Sequence, residues 1–137
     1  MKTLIYLVGG SIRSRKELET LENGCNSEIA LSAVRNGIRE ISGEVKYLRL
    51  NRYFLRNGTS QNIAEAVEKL QEADGIVFAT PVYFGVGSSL IYEFLEFCKE
   101  HNVSLYGKVV GFAVVGAKRN GGEETTIAWL AWEVMDL

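Results

Sequence analysis

Three stretches of the chain gather residues suited to holding a ligand. The first, GGSIRSRKELETLENGCNS at residues 9–27, places Ser11, Arg13, Ser14 and Arg15 directly after an apolar run and ends at Asn26 and Ser27, either of which can cap a following helix. Hydroxyls, guanidinium groups and free helix N–H groups all favour a phosphate. The same residues also read as a solvated loop kept soluble by its charges. The second, ATPVYFGVGSSL at residues 79–90, holds the only proline of the chain. Pro81 locks its own φ and pushes Thr80 toward an extended conformation, so the chain leaves the preceding run along a fixed path. Tyr83 and Phe84 then stand beside Gly85 and Gly87, where backbone can approach a flat ligand with no Cβ in the way. A stiff turn whose aromatics cover the end of a core is the plainer alternative. The third, GAKRNGGEETT at residues 116–126, offers glycine N–H groups with Lys118 and Arg119, suited to an anion or the polar edge of a heterocycle, or to a simple surface turn.

Catalytic side chains are harder to find. Cys98 and His101, the only histidine, lie three apart and invite a nucleophile and base. Cys98, however, falls on an apolar stripe with Ile91, Phe94 and Leu95, which predicts a buried structural cysteine and a surface histidine. There is no GxxxxGK[ST] phosphate loop. GVGSSL supplies two glycines of a dinucleotide fingerprint, but Leu90 stands where the third belongs and the segment follows the wrong strand. A phospho-acceptor receiver domain would carry carboxylates at its strand ends, where this chain has Gly9-Gly10 and Ala79-Thr80.

Composition narrows the classes further. The chain has 137 residues, 47% hydrophobic and 23% charged, with a net charge of −2 and no block of like charge. One domain, residues 1–137, is expected, without a nucleic-acid or acidic-lipid partner. Cys25 and Cys98 form neither a metal-type pair nor a disulfide framework, so no metal site is expected. The apolar run of MKTLIYLVGG is too short for a signal peptide or membrane span, which predicts a reduced, soluble, cytoplasmic protein.

The elements that must position these loops follow from hydrophobic period. TLIYLV (3–8), GIVFAT (75–80) and VVGFAVV (109–115) are apolar on both faces and suit central parallel strands. VKYLRL (45–50) is interrupted by Lys46 and Arg49 and is the candidate edge strand. Between them Ala30, Leu31, Val34, Ile38 and Ile41 recur at helical spacing, as do Ile63, Val67 and Leu70, and then Ile91, Phe94, Leu95 and Cys98. Alternating strands and helices with right-handed crossovers give an α/β doubly wound parallel sheet in three layers, whose ligands bind beyond the carboxyl ends of the strands.

In this setting the chain resembles the flavodoxin-like NAD(P)H-dependent FMN reductases, especially the branch that includes iron–sulfur flavoproteins. GGSIR resembles that family's phosphate loop. EADGIVFATPVYFGVGSSLIYEFLEF resembles its flavin-contacting loop and following helix, and GKVVGFAVVGAKRNGGEETTI its fourth strand and second flavin loop. The likeness runs over residues 2–127. It implies that Ser11, Arg13, Asn26 and Ser27 hold the FMN phosphate, that Pro81, Val82, Tyr83, Phe84 and Gly85 line the isoalloxazine, and that Gly116, Ala117, Gly121 and Gly122 border its pyrimidine edge. The flavin then carries the chemistry, taking hydride from NAD(P)H and passing electrons to a small acceptor such as a quinone, free flavin or metal complex, with no catalytic side chain required. A flavodoxin-like electron carrier and a flavin-free interaction module are the alternatives.

Three departures accompany the resemblance. The phosphate loop is longer than the family's, and is expected to fold over the flavin as a lid or to lack order. LNRYFLRNGTSQN has none of the cysteines that bind a four-iron centre in the iron–sulfur branch, so no cluster is expected. The usual fifth strand and fifth helix are lacking, which implies either a shortened chain or cover by a second copy. VVGFAVV then becomes an edge although it reads as central, and Ile127, Trp129, Leu130, Trp132, Val134 and Met135 spread over several faces of the last helix. A homodimer or higher homo-oligomer through this end is expected.

Overall fold

Two of the three runs that are apolar on both faces fold as inner strands, where each face meets a helix, while the third, VVGFAVV, lies at an edge. The computed structural model describes residues 1–14, 17–54 and 62–137. Its strands β1 (Leu4–Gly9), β2 (Glu44–Arg49), β3 (Gly75–Pro81) and β4 (Val109–Val115) form one sheet in the order β2-β1-β3-β4. All neighbours are parallel: Gly9 lies opposite Arg49 on one side and Ala79 on the other, and Pro81 lies opposite Val115. As the interruptions by Lys46 and Arg49 predict, β2 is an edge. The other edge is β4, whose residues are only partly buried, with Val109 exposed.

Helix α1 (Asn26–Glu40) covers one face of the sheet, with Leu31 packed against Leu7 and Ala79. On the opposite face lie α2 (Ile63–Glu72), α3 (Ser89–Glu100) and α4 (Glu123–Met135). There Leu70, Phe94 and Leu130 share a core with Val8 and Phe78. The chain steps outward from β1 to β2, then returns past β1 to β3 and β4. The order therefore reverses between β1 and β3, and a crevice opens beyond their carboxyl ends.

The long segment between β1 and α1 is neither a lid nor without order where it is described. Leu18–Asn23 forms a 3-10 helix whose Leu21 is fully buried beside Leu31. Arg35 of α1, itself buried, pairs with Glu22 and donates to the Leu18 carbonyl at 2.7 Å. A buried apolar side chain and a buried guanidinium thus pin the insertion to the flank of α1. Arg15 lies outside the described residues, as does 55–61 of the cysteine-free segment after β2.

α4 has little to pack against on its outer side. Thr126 and Leu130 are buried, while Trp129, Trp132 and Met135 remain 54%, 68% and 76% exposed. Trp129 makes an edge contact with Tyr92, ring centroids 5.0 Å apart. Among the described residues no helix is long and apolar enough to cross a membrane.

Candidate functional site

The ends of β1 and β3 are tied together before either loop departs. Gly10 N–H donates to the Ala79 carbonyl at 2.8 Å, and the Ser88 hydroxyl donates to the Gly10 carbonyl. Gly10 must lack a side chain there, since a Cβ would run into Ile91 and lie 2.9 Å from the Ala79 oxygen. Thr80, with no exposed surface, accepts the Ser88 N–H at 2.8 Å and donates to the Pro81 carbonyl at 2.9 Å. The proline segment is thereby closed on itself and latched to the first loop.

Val82 N–H donates to the Val115 carbonyl at 2.9 Å and carries the register one step beyond the strands. Tyr83 and Val86 then exchange backbone hydrogen bonds of 2.7 and 3.2 Å around Phe84 (φ 53°) and Gly85 (φ 80°). Positive φ at both central residues is the signature of a tight hairpin turn. It throws the Phe84 ring fully into solvent. The third loop comes up beneath this turn: Gly122 has φ 103°, and a Cβ there would stand 3.0 Å from the Gly85 Cα. Gly116 and Gly121 curve around the Glu123 carboxylate, whose Oε2 is buried without a hydrogen-bond partner among the described residues.

At the start of α1 the expected cap is displaced by one residue. Cys25 is the N-cap, and Glu28 closes a capping box by accepting the Cys25 N–H at 3.0 Å. Asn26 and Ser27 form the first turn instead, where their N–H groups are among the unpaired donors of the helix. Glu28 is buried and also accepts the Tyr47 hydroxyl at 3.0 Å. Burial, then the Glu28 charge, raises the Tyr47 pKa and keeps the phenol a donor.

These segments enclose a cleft of about 280 Å3. Ser11 and Arg13 from the first loop face it together with Asn26 and Ser27 at the start of α1. Pro81, Val82 and Tyr83 form a wall, and Gly116 and Ala117 lie across from it. Nine of the residues singled out from the sequence thus come together. Phe84, Gly85, Gly121 and Gly122 do not line the cleft. Phe84 is turned outward, Gly85 and Gly122 pack on each other, and Gly121 faces the Glu123 carboxylate.

Cys25 and Val115 line the cleft and were missed. The signal for Cys25 was present as C-N-S-E, a small polar residue three before a glutamate, which has capping-box spacing. Cys25 Sγ lies 3.3 Å from the Ser27 hydroxyl. Cys98 is buried on α3, and burial pushes its thiol up to about 12. His101 is exposed and stacked on Phe97, 3.9 Å between centroids.

The cleft is polar and cationic at one end, walled by proline and tyrosine in the middle, and bordered by glycine backbone at the other. That donor set fits a phosphate monoester joined to a flat heterocycle. A Cβ at Gly116 would displace the Glu123 carboxylate that supports the third loop.

Comparison with known proteins agrees with this arrangement. The family model described as NADPH-dependent FMN reductase matches residues 4–133. An iron–sulfur flavoprotein of Methanocaldococcus jannaschii is 41% identical over 68 residues, 48% of this chain and 35% of that protein. Another, from Archaeoglobus fulgidus, is 27% identical over 117 residues, covering 74% of this chain and 58% of its own length. The chain thus spans less than two thirds of the curated relatives it matches. The solved apo structure of the NADH:FMN oxidoreductase EmoB superposes with a TM-score of 0.70 at 18% identity, covering 97% of this chain and 70% of that one. This likeness supports the flavodoxin-like α/β fold. With the family match running from β1 nearly to the end of α4, the chain belongs to the NADPH-dependent FMN reductase family.

Proposed function

We propose that the protein is an FMN-dependent oxidoreductase that takes hydride from NAD(P)H and passes electrons to a small acceptor such as a quinone, a free flavin or a metal complex. The observation that carries this reading is the convergence of three separate loops on one cleft with an anion-binding end and a glycine-lined end. Ser11, Arg13 and the first N–H groups of α1 at Asn26 and Ser27 hold the phosphate. Pro81, Val82 and Tyr83 form the wall for the isoalloxazine, with Phe84 and Gly85 at its rim. Gly116 and Ala117 meet the pyrimidine edge, while Gly121 and Gly122 shape the loop that carries them. Bound FMN supplies the hydride and electron chemistry, and the chain supplies binding, orientation and shelter from water.

The test is direct. Protein saturated with FMN is expected to lose its flavin absorption when NADH or NADPH is added without oxygen. Arg13→Ala is expected to weaken FMN binding by about 1.5–3 kcal/mol, the loss of a charge-assisted hydrogen bond, read by flavin-fluorescence quenching. Unchanged affinity would show that the phosphate lies elsewhere. Flavin colour without reduction by either nucleotide would favour an electron carrier, and failure to take up FMN a flavin-free interaction module.

On the same reading residues 1–137 act as one cytoplasmic domain that assembles with itself. The open edge of β4 and the exposed Trp129, Trp132 and Met135 support a homodimer or higher homo-oligomer. Burying these side chains, at about 25 cal/mol per Å2, contributes several kcal/mol before the entropy of association. Light scattering at micromolar concentration is expected to give a multiple of the chain mass, reduced to the single-chain value by Trp132→Glu. A monomeric wild-type protein would overturn this assembly.

A further inference from the structure

The insertion after β1 does more than decorate α1. It encloses a second cleft, about 610 Å3, between the 3-10 helix and the carboxyl end of β2. Arg13, Ser14, Glu17, Thr20, Asn23 and Arg49 face it. Arg13 lines the flavin-phosphate cleft as well, so the two spaces adjoin at that side chain.

The charges in this second space are unbalanced. Neither the Arg13 nor the Arg49 guanidinium has an ion pair or hydrogen-bond partner among the described residues, although Arg49 is half-buried. With Arg13 turned to the flavin phosphate, Arg49 is left as a partly sheltered guanidinium without a counter-charge, and an anion in this space supplies charge-assisted hydrogen bonds to it. The Ser14 hydroxyl lies buried beside the Tyr47 phenol. Asn51 fixes the backbone of this corner by donating to the Ile12 carbonyl at 2.9 Å. Among the described residues the one carboxylate lining the cleft, Glu17, is exposed. A bare phosphate gains nothing from it, whereas a ribose offers hydroxyl donors that a carboxylate accepts. The volume is that of a small-ligand pocket.

We propose that this second cleft binds the adenosine diphosphate half of the nicotinamide dinucleotide, with Arg49 on the pyrophosphate, Arg13 bridging to it from the flavin phosphate, and Glu17 on the ribose hydroxyls. The proposal rests on the oxidoreductase reading, in which the dinucleotide must lie alongside the flavin. It also accounts for the insertion, since lengthening the loop builds a place for the reductant next to the phosphate of the cofactor.

The experiment uses ADP as the probe, titrated by calorimetry into FMN-saturated protein, with FMN affinity measured separately on each variant. ADP is expected to bind the wild type. Arg49→Ala is expected to weaken ADP at least tenfold, the size of one charge-assisted hydrogen bond, while FMN affinity stays within about twofold. Arg49→Lys, which keeps the charge and loses the planar fork, is expected to fall between the two and guards against a folding defect. ADP binding that ignores Arg49, or no ADP binding by a protein that holds FMN, would overturn the second cleft while leaving the flavin site intact. Inorganic phosphate displacing ADP at equal concentration would overturn the nucleotide assignment in favour of a simple anion site. If the protein takes up no FMN, the flavin reading fails, and Arg49-dependent ADP binding by the same protein would still uphold a nucleotide site.

Discussion

Thermal unfolding of a Thr80→Val variant is expected to occur roughly 5–12 °C below the wild type, a loss of about 2–3 kcal/mol for a chain of this size. Valine preserves the shape of threonine at a position with no exposed surface, so packing changes little. What disappears is the acceptor for the Ser88 N–H and the donor to the Pro81 carbonyl. The buried Ser88 amide then lacks its side-chain acceptor, and an unsatisfied buried donor costs more than a hydrogen bond gains. Because Ser88 also holds the Gly10 carbonyl, the damage reaches the first loop, and FMN affinity is expected to fall with stability. Thr80→Ser, which keeps the hydroxyl, is expected to retain most of both. Calorimetry that finds Thr80→Val unfolding with the wild type would show that the latch contributes nothing.

The second large effect lies where two loops touch. Gly122→Val places a β-branched residue at φ 103° with its Cβ against the Gly85 backbone. If the loops stayed together the strain and overlap would cost about 2–6 kcal/mol. Parting the loops at the surface is cheaper. Melting temperature is therefore expected to move only a few degrees, while FMN affinity drops by about a hundredfold because the far border of the cleft swings away from its wall. The split between the two readouts separates a local opening from a general loss of stability. A variant that binds FMN like the wild type would show that the contact between Gly85 and Gly122 does not set the width of the cleft.

Much of this architecture could be read from residue patterns, for identifiable reasons. Continuous apolar runs such as residues 3–8 and 75–80 leave no polar face for solvent and fold as inner strands, although the equally apolar run 109–115 lies at an edge, only partly buried. Lys46 and Arg49 mark β2 as an edge by the same logic. Once strand order is known, the crevice beyond β1 and β3 selects the loops, which is why nine of the thirteen site residues inferred from the sequence line one cleft. The four that do not share a cause. Which way Phe84 points depends on two consecutive positive φ values, and the meeting of Gly85 with Gly122 is a contact between residues far apart in the chain. Neither is a local property.

The insertion failed to declare itself for a similar reason. Leu18 and Leu21 are isolated apolar residues among glutamates, too few to show a period. Their burial depends on Arg35 reaching back from α1 to satisfy Glu22 and the Leu18 carbonyl. The cap at Cys25 was legible in spacing but hidden by residue type, since a thiol is a weaker acceptor than the hydroxyl usually found there.

The all-parallel sheet has a geometric consequence for assembly. β4 offers its outer edge with one polarity, running from Val109 to Val115 in the same direction as every other strand. Two copies related by a twofold axis can join these edges only in opposite directions, which consumes both edges and closes the assembly as a pair. Joining them in the same direction would require a head-to-tail relation, and β4 against the β2 edge of the next copy would propagate without end. Lys46 on β2 works against that second route, since a charge on an edge strand disfavours further pairing. In the homodimer proposed above, pairing through β4 would therefore close as a pair rather than propagate.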